Sequence, residues 1–201
     1  MKRSRCKAFS LIEIMVVLVI VSILGAVSGP AIMSIMKGNN VTQAGILIEQ
    51  TLTRARQLAL TQNRTVQVRL YSYADSSVPG SQEEFRVMQL YQREDDGSEV
   101  PVGKVIEIPD GAIINTSSTL SPLIGDTLDV DPDFKLPVVG TTYTSKAVTF
   151  YADGSTNLDK TQVWFLTIHN QETESNASAA PDNFYTIQLD PLLGTIRNHR
   201  P

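Results

Sequence analysis

The stretch Phe9–Ile20, FSLIEIMVVLVI, is an apolar run broken by one acid, Glu13, and preceded by a short basic segment, MKRSRCKA. A carboxylate about one helical turn inside an apolar helix is energetically disfavoured, so it calls for a partner and, as a rule, a function. Beyond it, the 23 residues Ile14–Met36 carry no charged side chain. As a helix they would reach roughly 34 Å, enough to cross a hydrocarbon core of about 30 Å with some tilt. Lys2, Arg3, Arg5 and Lys7 precede the run, and the first cations after it are Lys37 and Arg54. That asymmetry places the N-terminus in the cytoplasm and everything after Lys37 outside.

This arrangement resembles the class III signal of type IV pilins and type II secretion pseudopilins, in which a basic leader is cut before a Phe followed by [ST]-L-[IV]-E and a long apolar helix. The matching positions are Ala8 before the cut, then Phe9, Ser10, Leu11, Ile12 and Glu13. The resemblance implies that a prepilin peptidase cleaves after Ala8 and N-methylates Phe9. It also implies that Glu13 meets the terminal amine of a neighbouring subunit during assembly. Ala8 departs from the family's usual Gly, but a small residue still suits a tight peptidase site. Two other readings of the segment stand beside this one. An ordinary signal peptide would use Ile14–Leu24 as its apolar core and be cut after Ser28. A plain single-pass anchor would let Glu13 snorkel to the interface. Against the signal peptide, the apolar run continues past Ser28 through Ile32 and Met36, and Glu13 sits where such a peptide prefers no acid.

The 201 residues leave room for one domain beyond the stem, and the 42% hydrophobic content is ordinary once an apolar span is counted. Cys6, in the leader, is the only cysteine, so a mature chain starting at Phe9 holds neither thiol nor disulfide. Type IVa pilins commonly close a C-terminal loop with a disulfide, and its absence points to the pseudopilin branch. Without the leader, 13 Lys and Arg face 21 acids, a net charge of −8. So acidic a domain argues against nucleic acid or an anionic membrane as a general partner.

Pro30 is expected to kink the helix, and Gly38, Asn39 and Asn40 to weaken it. From Val41 the helical period resumes: Val41, Ala44, Ile48, Leu52, Ala55 and Ala59 form a stripe that should pack on a sheet. Ile46, Leu47, Leu58 and Leu60 fall off it, as contacts for neighbouring stems or as core residues the stripe misplaces. Near Asn63 the pattern changes to alternation. Strands are predicted at Thr65–Tyr73, Phe85–Gln92, Lys104–Ile108, Ala147–Tyr151, Gln162–His169, Phe184–Leu189 and Thr195–Arg197, with a turn at Glu94–Gly97. The fold class is therefore α+β, a long stem helix packed on an antiparallel β head. Its segments are a leader (1–8), a transmembrane and assembly helix (9–36), the extracytoplasmic half of the stem (37–64) and the head (65–201).

Within the head, TRARQLALTQNRTVQVRL (Thr53–Leu70) is similar to the stretch joining stem to first strand in the GspH/FimT family, through Ala55, Arg56, Ala59 and Val66. VTFYADGST resembles that family's F-x-x-x-G turn through Phe150 and Gly154, and LLGTIRNHR its final strand, which starts from a glycine, here Gly194. The resemblance implies a minor pseudopilin of the type II secretion pseudopilus tip, a structural subunit and not an enzyme. Its partners would be the prepilin peptidase, other pseudopilins or pilins through the stem, membrane lipid and the inner-membrane assembly platform. It would sit in the bacterial inner membrane with its head in the periplasm, then in the pseudopilus. A minor type IV pilin of a pilus or DNA-uptake system is the alternative, and a secreted periplasmic β-domain binding module a third reading.

Chemistry is sparse elsewhere, and no cofactor is indicated. Asn115–Ser145 and Gln171–Asn183 lack a period and read as surface loops. Asp129, Asp131 and Asp133 alternate as at the start of a calcium loop, but Pro132 interrupts them, Phe134 takes the glycine position and Gly140 the bidentate glutamate position. His169 and His199 have no H-E-x-x-H or cysteine partner, so no metal site is supported, and no G-x-S-x-G is present. Arg197, His199 and Arg200 form the one dense basic cluster of the mature chain. Arg197 and Arg200 are the candidate phosphate contacts for the DNA-uptake reading, with Arg200 at a frayed end.

Overall fold

A computed structural model describes residues 10–75, 79–125, 128–129 and 142–201, with side chains left undescribed at 27–37 and 128–129. The chain divides into two compact units, 1–37 and 38–201. Helix α1 (Leu11–Gln62) is followed by β1 (Val66–Ala74), β2 (Glu83–Arg93), β3 (Glu99–Glu107), β4 (Ala112–Ile114), α2 (Pro122–Gly125), β5 (Leu128–Asp129), β6 (Thr144–Phe150), β7 (Trp164–Asn170), β8 (Phe184–Leu189) and β9 (Ile196–His199). All pairings are antiparallel and make two sheets, in the orders β3-β2-β1-β6-β5 and β4-β7-β8-β9.

In the first unit every side chain described, Ser10–Ala26, is exposed, and the large apolar ones from Leu11 to Leu24 expose 50–79% of their surface. Among the described residues no helix is long and apolar enough to cross a membrane. The described side chains of the apolar run stop at Ala26, so much of 14–36 lies outside them. Pro30 is helical, but its side chain is among those not described, and the expected kink with it.

In the second unit α1 lays its stripe into the core. Val41, Ala44, Ile48, Leu52, Ala55 and Ala59 are all buried, against Val66, Val68 and Leu70 of β1, Met88 and Leu90 of β2, Phe150 of β6 and the inward residues of β7 and β8. Helix propensity alone would fray α1 at Gly38–Asn40, yet it continues unbroken there. Asn40 Nδ2 donates to Asp110 O (2.9 Å) and Thr42 Oγ1 to Gly38 O (2.9 Å), tertiary and local bonds that outweigh a weak preference. The off-stripe leucines and isoleucine divide: Leu47 and Leu58 pack at the core's edge, whereas Ile46 and Leu60 stand out. The helix ends as sequence predicts. Asn63 takes a left-handed φ of 52° and Arg64 N–H bonds Ala59 O at 3.2 Å, the Schellman closure that satisfies an orphan carbonyl.

The strands follow the predicted alternation, and β8 has the predicted bounds. Two findings correct the expectations. β3 begins earlier, at Glu99, because a bulge around Gly103 (φ 79°) lets Gln89 Nε2 reach Val102 O (3.3 Å) and keeps the ladder going. The segment 115–145 is only partly loop: Asn115, Leu123 and Ile124 are buried and α2 and β5 lie within it. The outer face of β1 carries a second cluster of Tyr71, Val87 and Tyr91, flanked by Tyr73, Val105 and Tyr143.

Candidate functional site

At the N-terminus, Ser10 is the helix cap. Its Oγ accepts from Glu13 N–H at 3.3 Å and its carbonyl from the same N–H at 3.1 Å, so Ser10 supplies the N-cap acceptor of an S-x-x-E capping box. Glu13 thus sits in the first turn, where the helix dipole favours a negative charge, with its side chain exposed. Ala8 and Phe9 lie outside the described residues.

The three head motifs, far apart in sequence, meet at one point. Val66 pairs with Phe150 across β1 and β6, and Ala55, Ala59, Val66 and Phe150 are all buried to completion. Arg56 Nε donates to Leu193 O at 2.7 Å. Gly154 and Gly194 both have positive φ, 87° and 59°, and a Cβ on Gly194 would lie 2.4 Å from Gly154 O and 3.2 Å from the Phe150 ring. Only glycine allows that approach. The junction fastens the end of α1 to the β6–β7 turn and the start of β9, and nothing in it is a nucleophile or acid–base pair.

A second fastening lies at the other end of the packed half of α1. Tyr185 Oη donates to Glu49 Oε2 (2.8 Å), Asn198 Nδ2 to the same oxygen (2.7 Å), and Arg200 to Gly38 O (3.2 Å) and Asn183 Oδ1 (3.4 Å). Burial, then the hydrogen bond and charge of Glu49, push the Tyr185 hydroxyl up to about 12. Arg200 is therefore not frayed: its guanidinium is engaged with the start of the packed helix. Arg197 and His199 are exposed two residues apart on β9, as their alternation predicts. The basic cluster is thus split between an outer strand face and the helix.

The remaining polar groups satisfy one another. His169 is buried, its Nδ1 bonded to Asn170 O (2.9 Å) and its Nε2 accepting from Asn115 Nδ2 (3.2 Å), which also donates to Ala177 O (3.0 Å). Behind β1, the Arg69 guanidinium pairs with Glu99 and lies 4.1 Å over the Tyr91 ring, while the Tyr71 and Tyr91 hydroxyls are 3.0 Å apart. A cavity of about 590 Å³ opens between Tyr73, Phe85, Glu107, Ile108 and Asp110, and two of its charged lining residues, Glu84 and Arg86, are paired at 2.9 Å. Among the described residues no group of three His, Cys, Asp or Glu side chains could hold a metal, and Asp131 and Asp133 lie outside them. Sequence reasoning missed the tyrosine cluster and the meeting of the motifs, although Gly154 and Gly194 were the signal for the latter.

Residues 3–29 match the family described as the prokaryotic N-terminal methylation motif. Among solved structures, the chain is similar to the minor pseudopilin EpsH from the type 2 secretion system of Vibrio cholerae, at 14% identity and a TM-score of 0.45, over 81% of this chain and 98% of that one. A second EpsH structure gives 14% identity and 0.47 over 82% and 96%. The type IV minor pilin FimU of Pseudomonas aeruginosa gives 14% identity and 0.47 over 81% and 93%. These likenesses separate neither class from the other. No curated protein matches the chain. The chain thus carries a prokaryotic N-terminal methylation motif that leads into a long helix, and that helix leads into an antiparallel β head.

Proposed function

We propose that the protein is a minor pseudopilin, a structural subunit of the tip of a type II secretion pseudopilus that supports protein export across the outer membrane. The observation that carries this is Glu13, an exposed acid at the head of a helix that is apolar on every side, directly after the basic leader of the methylation motif. A helix apolar all round needs lipid or other helices to cover it. In this reading residues 1–8 are the leader, 9–36 cross the inner membrane, 37–64 complete the stem and 65–201 form the periplasmic head. The prepilin peptidase cuts between Ala8 and Phe9 and methylates Phe9. The assembly platform then draws the stem from the lipid, and Glu13 pairs with the terminal amine of an adjacent pseudopilin.

The pilus or DNA-uptake alternative has one observation in its favour, the exposed Arg197 and His199 on β9. Secretion is preferred because Arg200 is bonded to the helix and the mature chain is strongly acidic, which opposes phosphate binding.

Replacing Glu13 tests the proposal. A lone carboxylate costs about 2–3 kcal/mol on insertion scales, so Glu13→Ala should enter the membrane at least as well as the parent. It should nevertheless fail to crosslink with neighbouring subunits and to support secretion. Normal crosslinking and secretion in that variant would leave Glu13 a snorkelling residue.

A further inference from the structure

Strand β9 ends the second sheet. It pairs with β8 alone, from Leu189–Ile196 to Thr186–His199, and among the described residues no strand lies on its other side. Asp190 N–H bonds Thr195 O at 3.0 Å, which sets the phase of an antiparallel ladder in which residues bond across and turn away in alternation. The backbone groups of Arg197 and His199 therefore face β8, and the N–H and C=O of Ile196 and Asn198 face off the edge. Side chains alternate too: Ile196 packs on the core and Asn198 Nδ2 bonds Glu49, so Arg197 and His199 stand on the outer face. Both are exposed, and neither is paired with a carboxylate among the described residues. The strand is fixed in place by Asn198 on Glu49, by Arg200 on Gly38 O and by the His199 ring, 6.5 Å from that of Phe184.

We infer that this edge takes an extended segment of a partner protein as a further strand of the second sheet, a segment with carboxylates at two alternate positions opposite Arg197 and His199. Main-chain bonds to Ile196 and Asn198 carry the addition, and the basic pair selects the sequence that is added. Three features select that occupant. Two unpaired basic side chains on one strand face match acids at the same period of two, on a chain whose formal net charge is −4 and which elsewhere repels an acidic partner. The β9 edge of a second copy is disfavoured, because pairing the two would set Arg197 and His199 against like groups. Two side chains release few counterions, so a polyanion held by phosphate contacts alone gains little here. Because β9 is already ordered by its bonds to α1, adding a strand costs the head little entropy. The inference rests on the head alone and stands whether the chain serves secretion or a pilus.

Tethered peptides test this on the full chain in detergent, with Cys6→Ser to remove the native thiol and Thr195→Cys to supply one just before the strand. In a glutathione buffer that lets disulfides equilibrate, the protein is offered the peptides CGGTEVEVT and CGGTKVKVT, whose linkers hold them beside the edge at high effective concentration. The acidic peptide should be captured roughly tenfold more than the lysine peptide, and Arg197→Glu should reverse the order. Two acidic peptides N-methylated at alternate amides, one in each phase, should differ: one loses its advantage and the other keeps it, because only one side of an added strand bonds the edge. Lys104→Cys, exposed on β3, should show no preference for the acidic peptide. Equal capture at Thr195→Cys, an order unmoved by Arg197→Glu, the same result for both N-methylated peptides, or an equal acidic preference at Lys104→Cys would overturn the inference. Displacement of the acidic peptide by a thymidine oligonucleotide at moderate salt would overturn it in favour of phosphate.

Discussion

Gly194 carries more of the fold than any side chain near it. An alanine there would need a left-handed backbone and would push its Cβ to 2.4 Å from the Gly154 carbonyl, a backbone atom held by the Tyr151–Gly154 turn. Gly194→Ala should therefore cost about 2–4 kcal/mol, from the positive φ and the overpacking together. Urea unfolding of the 38–201 unit measures it, and an unchanged midpoint would show that the two turns slide apart freely. Tyr185 gives a test in pH. Its hydroxyl is pushed up to about 12, above its ordinary value near 10. A raised value means the folded state holds the proton more tightly, so this stabilisation is complete below pH 10 and is lost as pH rises through 12. Tyr71, raised by burial and by its bond to Tyr91, acts in the same direction. Thermal melts should fall over that alkaline window in the parent and fall less steeply in Tyr185→Phe.

At the scale of elements, the packed half of α1 was legible because one face is uniformly apolar at helical spacing, and every residue of the predicted stripe is buried. Leu52→Ala should remove about 2–5 kcal/mol, since it empties volume between two sheets that cannot collapse onto it. Ile46→Ala, on the outward face, should change stability by no more than about 0.5 kcal/mol. Paired urea titrations compare the two, and similar losses would mean that the stripe is not what holds the helix. The outer face of β1 was not legible. Gln67, Arg69 and Tyr71 look like a solvated face, and what packs there, Tyr91 and Tyr143, arrives from segments 20 and more residues away. α2 and β5 were hidden for a related reason. Four and two residues are too short to show any period, and the burial of Leu123 and Ile124 in α2 comes from the surrounding core.

For the whole molecule, the order of parts was readable and the long-range fastenings were not. The alternation of Phe184–Leu189 says strand, but nothing local says that Tyr185 will bond Glu49 or Arg200 the helix at Gly38. The same holds for the motifs around Arg56, Phe150 and Gly154, which are weak one by one and become a single junction in space. The account as a whole rests on the N-terminal segment. If the chain is processed as its methylation motif implies, the apolar helix stays with the head and Glu13 stays near a free amine. If signal peptidase acts instead, both are lost and the head is released alone. Coexpression with a prepilin peptidase followed by intact-mass and N-terminal analysis decides between them. The predicted product begins at N-methylated Phe9 and retains the entire apolar stem, whereas a chain beginning after Ser28 would contradict the account.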